Sequence, residues 1–402
     1  MTRIAAPPYD VVDRSEAAAL ATGNPLSFLH VGRSDIDLPP TTDPHDPQIY
    51  AKAKENLTRF LSDGTFVQER EPSLYLYELT LDGQAQVGVV GCVHVDDYET
   101  DVIKKHEKTR PDKEDDRTRH VVTLGAHAEP VFLTHRPTPS LDQLNTQVMG
   151  TPPLYDFVTS DQVRQRVWRV ADTKAYVDAF GRMTDCYVAD GHHRCASAWR
   201  TAKELRSTNP AHTGTEDYNW FLAVLFPSDQ LRILPYNRVV KDLNGLTPES
   251  FLTRLAAVGT LAPTQTPAPA APGSFGVFVA GAWYALTLVP GSILYHDPIN
   301  SLDASLLHER VLAPLLGIGD VRTDQRIDFV GGIRGTDELE GRVRSGAEAV
   351  AFAMYPVSVA QLMAIADAGA VMPPKSTWFE PKLKSGLFVH TFAEPTPGGA
   401  TQ

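Results

Sequence analysis

The stretch Asp185–Arg206, DCYVADGHHRCASAWRTAKELR, leaves this chain few choices of local structure. Cys186 to Ala189 is short and apolar and reads as a buried strand. Asp190-Gly191-His192-His193 is a polar turn. From about Arg194, the residues Cys195, Ala198, Trp199, Ala202 and Leu205 recur on one helical face. A strand that turns sharply into a helix aims the N–H groups of the first helical turn outward, at the positive end of the helix dipole. That is an anion site, and phosphate is its usual occupant. Gly191 lets backbone approach a ligand closely. His192, His193 and Arg194 add donors and positive charge. Asp190 supplies a carboxylate placed to cap the helix, hold a metal ion or steer a hydroxyl. Asp-Gly before a helix is also an ordinary turn and cap. Two imidazoles and a guanidinium in succession, however, are costly to place together unless an anion compensates them.

With 402 residues and 42% hydrophobic content, the chain can bury a full core in two or three domains or one large composite. No apolar run approaches the roughly 18 residues of a membrane span, and the opening MTRIAAPPYDVV lacks the apolar core of a signal peptide. Cys92, Cys186 and Cys195 cannot make a disulfide framework, so a reducing cytoplasm is expected. The formal net charge of −12 disfavours nucleic acid, which needs a basic face to displace counterions. The positive charge that remains gathers in short motifs and points to a small anion.

Along the chain, Asn24–Val31 reads as a turn leading into a strand, residues 48–63 as a helix, and 73–80 with 87–95 as a hairpin around Asp82-Gly83. A helix is expected from Pro111 through Leu124, a strand at 130–134, and a polar connection at 137–145. Strands follow at 163–171, 219–226 and 231–234, and an extended stretch at 235–240 carries a buried-looking Arg238. Residues 262–274, APTQTPAPAAPGS, can hold neither helix nor sheet. A hairpin at 275–288, helices at 302–315, 336–344 and 358–368 and a strand at 349–354 come next. The tail beyond Ala393 is expected to be loose.

Binding phosphate is not yet chemistry. Transfer also needs a base and usually a cation. Lys105-His106-Glu107-Lys108-Thr109 supplies one candidate: Glu107 stands among Lys104, Lys105, His106 and Lys108, which would keep it ionised as a base toward a hydroxyl. The same run also reads as a solvated charge cluster. Lys375-Ser376-Thr377, with Lys382 and Lys384, would suit a lid over phosphates, or else is a proline-rich loop. Cys186, His192, His193 and Cys195 fall near one another but match no zinc spacing. Cys195 lies on the apolar helix face, which favours packing over nucleophilic catalysis. Cys92 reads as a strand core residue.

The set PPYDVV (7–12), HEKT (106–109), DDRTRH (115–120), YVADGHHRCASA (187–198), PYNRVV (235–240) and MPPKSTWFEPKLKSG (372–386) resembles the DUF1015 family of bacterial and archaeal proteins, in order over nearly the full chain. The resemblance implies an α/β fold. Its ParB/sulfiredoxin-like nucleotide-binding core would span 71–245, with family-specific regions at 1–70 and 246–402. Within that group the chain looks closest to free-serine kinases. This implies that Asp190, Gly191, His192, His193 and Arg194 form the nucleotide-phosphate loop and that Glu107 is the catalytic base. Asp190 and His193 would share in catalysis, with Asp190 also helping to place Mg²⁺. His106, Thr109, Arg117, Arg119, Lys375, Ser376, Thr377 and Lys382 are candidates for gripping substrate or neutralising charge. Cys195 stands where the family usually has an aromatic. The expected activity is phosphoryl transfer from ATP or ADP to a small amino acid, serine first. The alternative is a non-catalytic nucleotide switch of the ParB-like superfamily.

Overall fold

A computed structural model of the chain describes residues 1–392; the tail expected to be loose lies outside them. The chain is mixed α/β and divides into two compact units. One holds residues 1–105, 109–231 and the chain from Pro381 onward; the other holds 106–108 and 232–380. This division runs differently from three consecutive segments. Residues 1–70 join the first unit because the helix Pro47–Ser62 buries Ala53, Leu57 and Phe60 against Leu124, Ala126 and Ala128. Residues 232–245 belong to the second.

Up to residue 231 the first unit carries nine strands: β1 Tyr75–Leu81, β2 Gln84–His94, β3 Ile103–Lys104, β4 Ala126–His127, β5 Val131–His135, β6 Tyr155–Val158, β7 Arg164–Arg169, β8 Cys186–Asp190 and β9 Trp220–Pro227. Eight of them form one mixed sheet in the order β3-β8-β5-β9-β2-β1-β7-β6. The expected hairpin is β1–β2, pairing Tyr75 with Val90 and Leu81 with Gln84. The helix His192–Thr208 packs on the sheet through Cys195, Ala198 and Ala202, beside Val131, Leu133, Val188 and Ala223. The helix Pro111–Leu124 has proline at its first position, where a missing N–H costs nothing, and ends at left-handed Gly125.

Three sequence expectations give way here. Leu29–Gly32 is a short helix, not a strand, with Phe28 and Leu29 in the core. The segment expected to be a polar connection contains the helix Pro139–Met149. Its Leu141, Leu144 and Val148 make a narrow apolar stripe that packs near Trp168 and Tyr176, and a stripe so sparse is easily read as loop. Cys92 does lie in β2 but is exposed rather than core.

The second unit contains β10 Ile233–Leu234, β11 Tyr236–Val240, β12 Gly259–Pro263, β13 Ser274–Val279, β14 Ala282–Leu288, β15 Ile327–Gly331, β16 Val350–Ala353 and β17 Trp378–Phe379. Six of these make an antiparallel sheet, β12-β14-β13-β16-β11-β15. Side chains alternate across it. Val240, Val277 and Val279 face a cluster with Phe251, Leu307 and Leu312, while Val239 and Phe278 face Leu339. The chain then returns to the first unit, where Ala6 and Ser385 exchange backbone hydrogen bonds at 3.1 and 2.9 Å, and β18, His390–Thr391, pairs with β4. No helix among the described residues is long and apolar enough to cross a membrane.

Candidate functional site

The strand–turn–helix expected at 186–206 is present. β8 ends at Asp190, Gly191 takes a left-handed φ of 101°, and the helix begins at His192, two residues earlier than expected. Opposite the turn, the pairing of β5 with β8 slips between Phe132, which pairs with Asp190, and Leu133, which pairs with Val188. A slip of this kind bends a strand and re-aims its last side chains. Helix geometry provides no intrahelical acceptor for the N–H groups of the first turn, and the residue at the cap position, Gly191, has no side chain to serve them.

Asp190 is therefore not the helix cap. Its Oδ2 lies 3.2 Å from Nη2 of Arg194 and 3.4 Å from Nζ of Lys382. Burial by itself would raise its pKa. Lys382, then Arg194 and His192, outweigh that and hold it down at about 2. Arg194 does not reach outward either. Its side chain is 9% exposed and folds back over Gly191, where a Cβ would come within 3.1 Å of its guanidinium carbon. It donates to the carbonyl of Pro130 and to Asp190, and Asp10 stands 3.9 Å away. Burial opposes its charge, while Asp10, Asp190 and Glu129 raise its pKa above the ordinary value. Arg194 thus braces the turn from behind.

Arg117 joins the same layer. It lies over the Tyr9 ring at 4.1 Å and pairs with Asp116 at 2.7 Å. Glu129 accepts from the Ser385 hydroxyl at 3.1 Å, and its Oε1 would lie 2.8 Å from a Cβ placed on Gly32, so a side chain there would have to displace the carboxylate. Beside Arg117, Glu129 and Arg194 lies a small cavity of about 30 Å³, on the order of one or two water molecules. A larger anion can meet the turn only from its open side. Tyr9, Asp10 and Glu129 escaped the sequence reading as site residues. Asp10 had a signal, since PPYDVV was singled out as a motif; Glu129 had none.

On that open side, His193 Nε2 accepts the Arg110 N–H at 3.1 Å. A neutral ring in this geometry carries its proton on Nδ1, which is then a donor. The Thr109 hydroxyl is spent on Glu114, which also meets Arg200 at 3.2 Å. Arg119 is exposed on its helix and, among the described residues, forms no hydrogen bond or ion pair with these groups. Of the basic residues flanking Glu107, Lys104 pairs with Asp185 at 3.3 Å, and Lys105 pairs with Asp101 at 2.9 Å over the Tyr98 ring. His106 is buried, Glu107 half-buried and Lys108 exposed. These three group with the second unit, where Met372 donates its N–H to the His106 carbonyl at 2.8 Å.

Lys375, Ser376 and Thr377 also lie in the second unit. Ser376 is buried and donates to the Pro373 carbonyl at 2.6 Å; Lys375 takes a left-handed φ of 56° with its amine 5.5 Å from the Tyr236 ring centre. The stretch is a fastened turn. Cys195 is fully buried with its thiol pushed up to about 12, chiefly by desolvation, which rules it out as a nucleophile near neutral pH.

At this strand–turn–helix the Asp190 carboxylate already faces two cations, Arg194 and Lys382. A divalent metal at Asp190 would be repelled by Lys382 and Arg194, and magnesium wants oxygen ligands that histidines and an arginine do not offer.

The chain belongs to the DUF1015 family, described as protein of unknown function, whose model matches residues 1–305. No curated protein matches it. Among solved structures it is similar to a free serine kinase in complex with AMP, at 12% identity over 72% of this chain and 86% of that one, with a TM-score of 0.36. It is similar to SbnI with C-terminal truncation from Staphylococcus aureus at 14% identity, 75% and 87% coverage and a TM-score of 0.41. A conserved hypothetical protein from Pyrococcus furiosus aligns at 14% identity, 74% and 93% coverage and a TM-score of 0.35. Scores this low leave the functional reading to this chain's own residues.

Proposed function

We propose that the turn Asp190–Arg194 binds the phosphoryl chain of a nucleotide and that the protein is a kinase for a small hydroxy amino acid, serine first. The observation that carries the binding half is the strand–turn–helix itself: the helix His192–Thr208 is entered through left-handed Gly191 and the turn is braced by Arg194. His192, His193 and Lys382 stand at the same end of the unit, and the Lys382 ammonium would add positive charge toward the phosphates. The transfer half rests on the family resemblance of HEKT and DGHHR. In the chain Glu107 stands midway between two anchor points, Lys104, paired beside Tyr187 in β8, and Arg110, held by His193.

In this reading the acceptor hydroxyl oxygen attacks the terminal phosphorus. Its proton passes to the Glu107 carboxylate, the bond from phosphorus to the leaving nucleotide oxygen breaks, and the nucleotide departs one phosphoryl group shorter. His193 would donate from Nδ1 to a phosphoryl oxygen. Oriented donors of this kind are usually the largest single contribution, and losing one costs on the order of 10² to 10³ in rate.

The test incubates the protein with ATP or ADP and a panel of hydroxy amino acids, followed by phosphorus NMR. The kinase reading expects a phosphorylated amino acid only with its acceptor present. It also expects Glu107→Gln to lower turnover by about 10² to 10⁴ while calorimetry still shows nucleotide binding. Nucleotide uptake without acceptor-dependent product would favour a nucleotide switch, and no uptake of any nucleotide would end both readings.

A further inference from the structure

The second unit has a cavity of its own, of about 350 Å³, which the first unit's chemistry does not use. It lies against the helical run after Leu302, where an α-helix, Asp303–Leu307, widens into a π-helix, His308–Leu312, before closing again at Ala313–Leu316. Single π turns inside helices are uncommon and gather at functional sites, because the extra residue turns a side chain out of the regular ladder. Here the widened turn presents His308 and Leu312 to the cavity. Nδ1 of His308 is buried and has no hydrogen-bond partner. A buried polar atom in that state is rare enough to need an explanation.

The opposite wall carries Arg238, 5% exposed. Its guanidinium donates to the carbonyls of Tyr236 and, at 3.0 Å, Lys375. Neither acceptor is charged, and no carboxylate among the described residues forms an ion pair with it. A guanidinium has five N–H donors, and these two bonds leave the rest for a ligand. A buried cation held only by carbonyls is electrostatically incomplete, and burial lowers its pKa to about 10. The remaining walls are largely apolar, with Phe329, Val321 and Leu312 among them, and Glu309 stands exposed at the lining.

We infer that this cavity binds a small organic monocarboxylate, with its carboxylate on Arg238 and His308 and its apolar body against Leu312, Val321 and Phe329. A carboxylate matches the planar fork of a guanidinium in a bidentate pair. A phosphate dianion is disfavoured because Glu309 and Asp320 also line the cavity, Asp320 being paired with Arg322 at 2.7 Å, and one arginine and one histidine must offset them as well. The volume falls at the small-molecule end of ordinary ligand pockets.

Calorimetry and thermal shift on the full chain test this, with hexanoate, benzoate and inorganic phosphate as probes. One variant is Arg238→Met. The second is Gly319→Leu: Gly319 lines the cavity and an added Cβ there meets no atom within 4 Å, so the side chain can take up space without moving backbone. At least one carboxylate should bind wild type and phosphate should not. Both variants should keep the unliganded melting temperature within a few degrees and bind at least tenfold more weakly. The site is overturned if neither carboxylate binds wild type, or if binding survives Gly319→Leu. Binding lost in Gly319→Leu but kept in Arg238→Met would overturn the role of the arginine. Phosphate binding in place of the carboxylates would overturn the ligand class.

Discussion

Arg194 and Arg238 are both deeply set, one in each unit, and their surroundings are opposite. Arg194 sits among Asp190, Asp10 and Glu129, and these carboxylates raise its pKa against the pull of burial. Among the described residues Arg238 hydrogen-bonds only two carbonyls, its one charged neighbour, Asp303, forms no ion pair with it, and burial wins, lowering it to about 10. The first arginine is an internal strut whose charge is spent. The second holds charge in reserve beside an open cavity. Depth alone therefore does not say whether a buried arginine builds the fold or waits for a ligand; its carboxylate neighbours do.

The largest effect that would sharpen this contrast is at Asp190. Asp190→Ala leaves Arg194 and Lys382 facing each other without their shared carboxylate, and breaking a partly buried ion network in this way costs about 3 kcal/mol, to be read from urea unfolding midpoints. A loss below about 1 kcal/mol would mean that the network behaves as a surface pair and that Arg194 is free to serve a ligand.

The pH dependences come next, and their signs differ. Asp190 has a folded pKa of about 2, below its ordinary value, so its contribution is present above about pH 4 and lost as pH falls toward 2; it amounts to about 2 kcal/mol. Asp303, in the second unit, accepts from the Gly273 N–H at 2.8 Å and is raised to about 6, chiefly by burial, with Gly273 and Arg238 only partly offsetting it. Its protonated form is favoured in the fold, so that contribution is complete below about pH 4 and lost as pH rises through 6. Asp190→Asn should flatten the stability profile below pH 4, and Asp303→Asn should flatten it between 4 and 6. Unfolding midpoints across pH 2–7 check both. An unchanged slope in either variant would remove that residue from the account.

A smaller loss is expected for Gly191→Ala. Left-handed backbone with a side chain costs about 1–2 kcal/mol, and the new Cβ would press on the Arg194 guanidinium at 3.1 Å. Thermal denaturation should show a fall of a few degrees. The smallest effect is at Arg238→Met. Replacing an uncompensated buried cation with an apolar side chain of similar length is often neutral, so stability should stay within about 1 kcal/mol of wild type. Arg194→Met, by contrast, should cost about as much as losing Asp190. Equal losses at the two arginines would erase the comparison.

Much of this was legible in the chain. The alternating run at 75–81, the continuous apolar run at 220–227 and the helical faces at 47–62 and 192–208 stand out because each element buries much of its apolar surface. The turn at 190–194 announced itself through residue types that rarely stand together without an anion. The misreadings share a cause. The helix Pro139–Met149 buries only a thin stripe, and Leu29–Gly32 is too short for any period to show. The charge partners of the turn were harder still. Asp10, Glu129 and Lys382 lie far from Asp190 in sequence, and nothing local in a sequence says which distant carboxylate will face which cation.

By itself, then, the sequence determined the strand–turn–helix, its glycine hinge and the concentration of histidine and arginine upon it, because these depend on backbone geometry and side-chain periodicity over a few residues. Tertiary structure alone decided that Arg194 points inward, that Asp190 is shared by Lys382 and Arg194 instead of capping the helix, and that Arg238 is left without a carboxylate. Those outcomes depend on Coulomb energy and desolvation between groups brought together from opposite ends of the chain, and both terms exist only once the fold has excluded water between them.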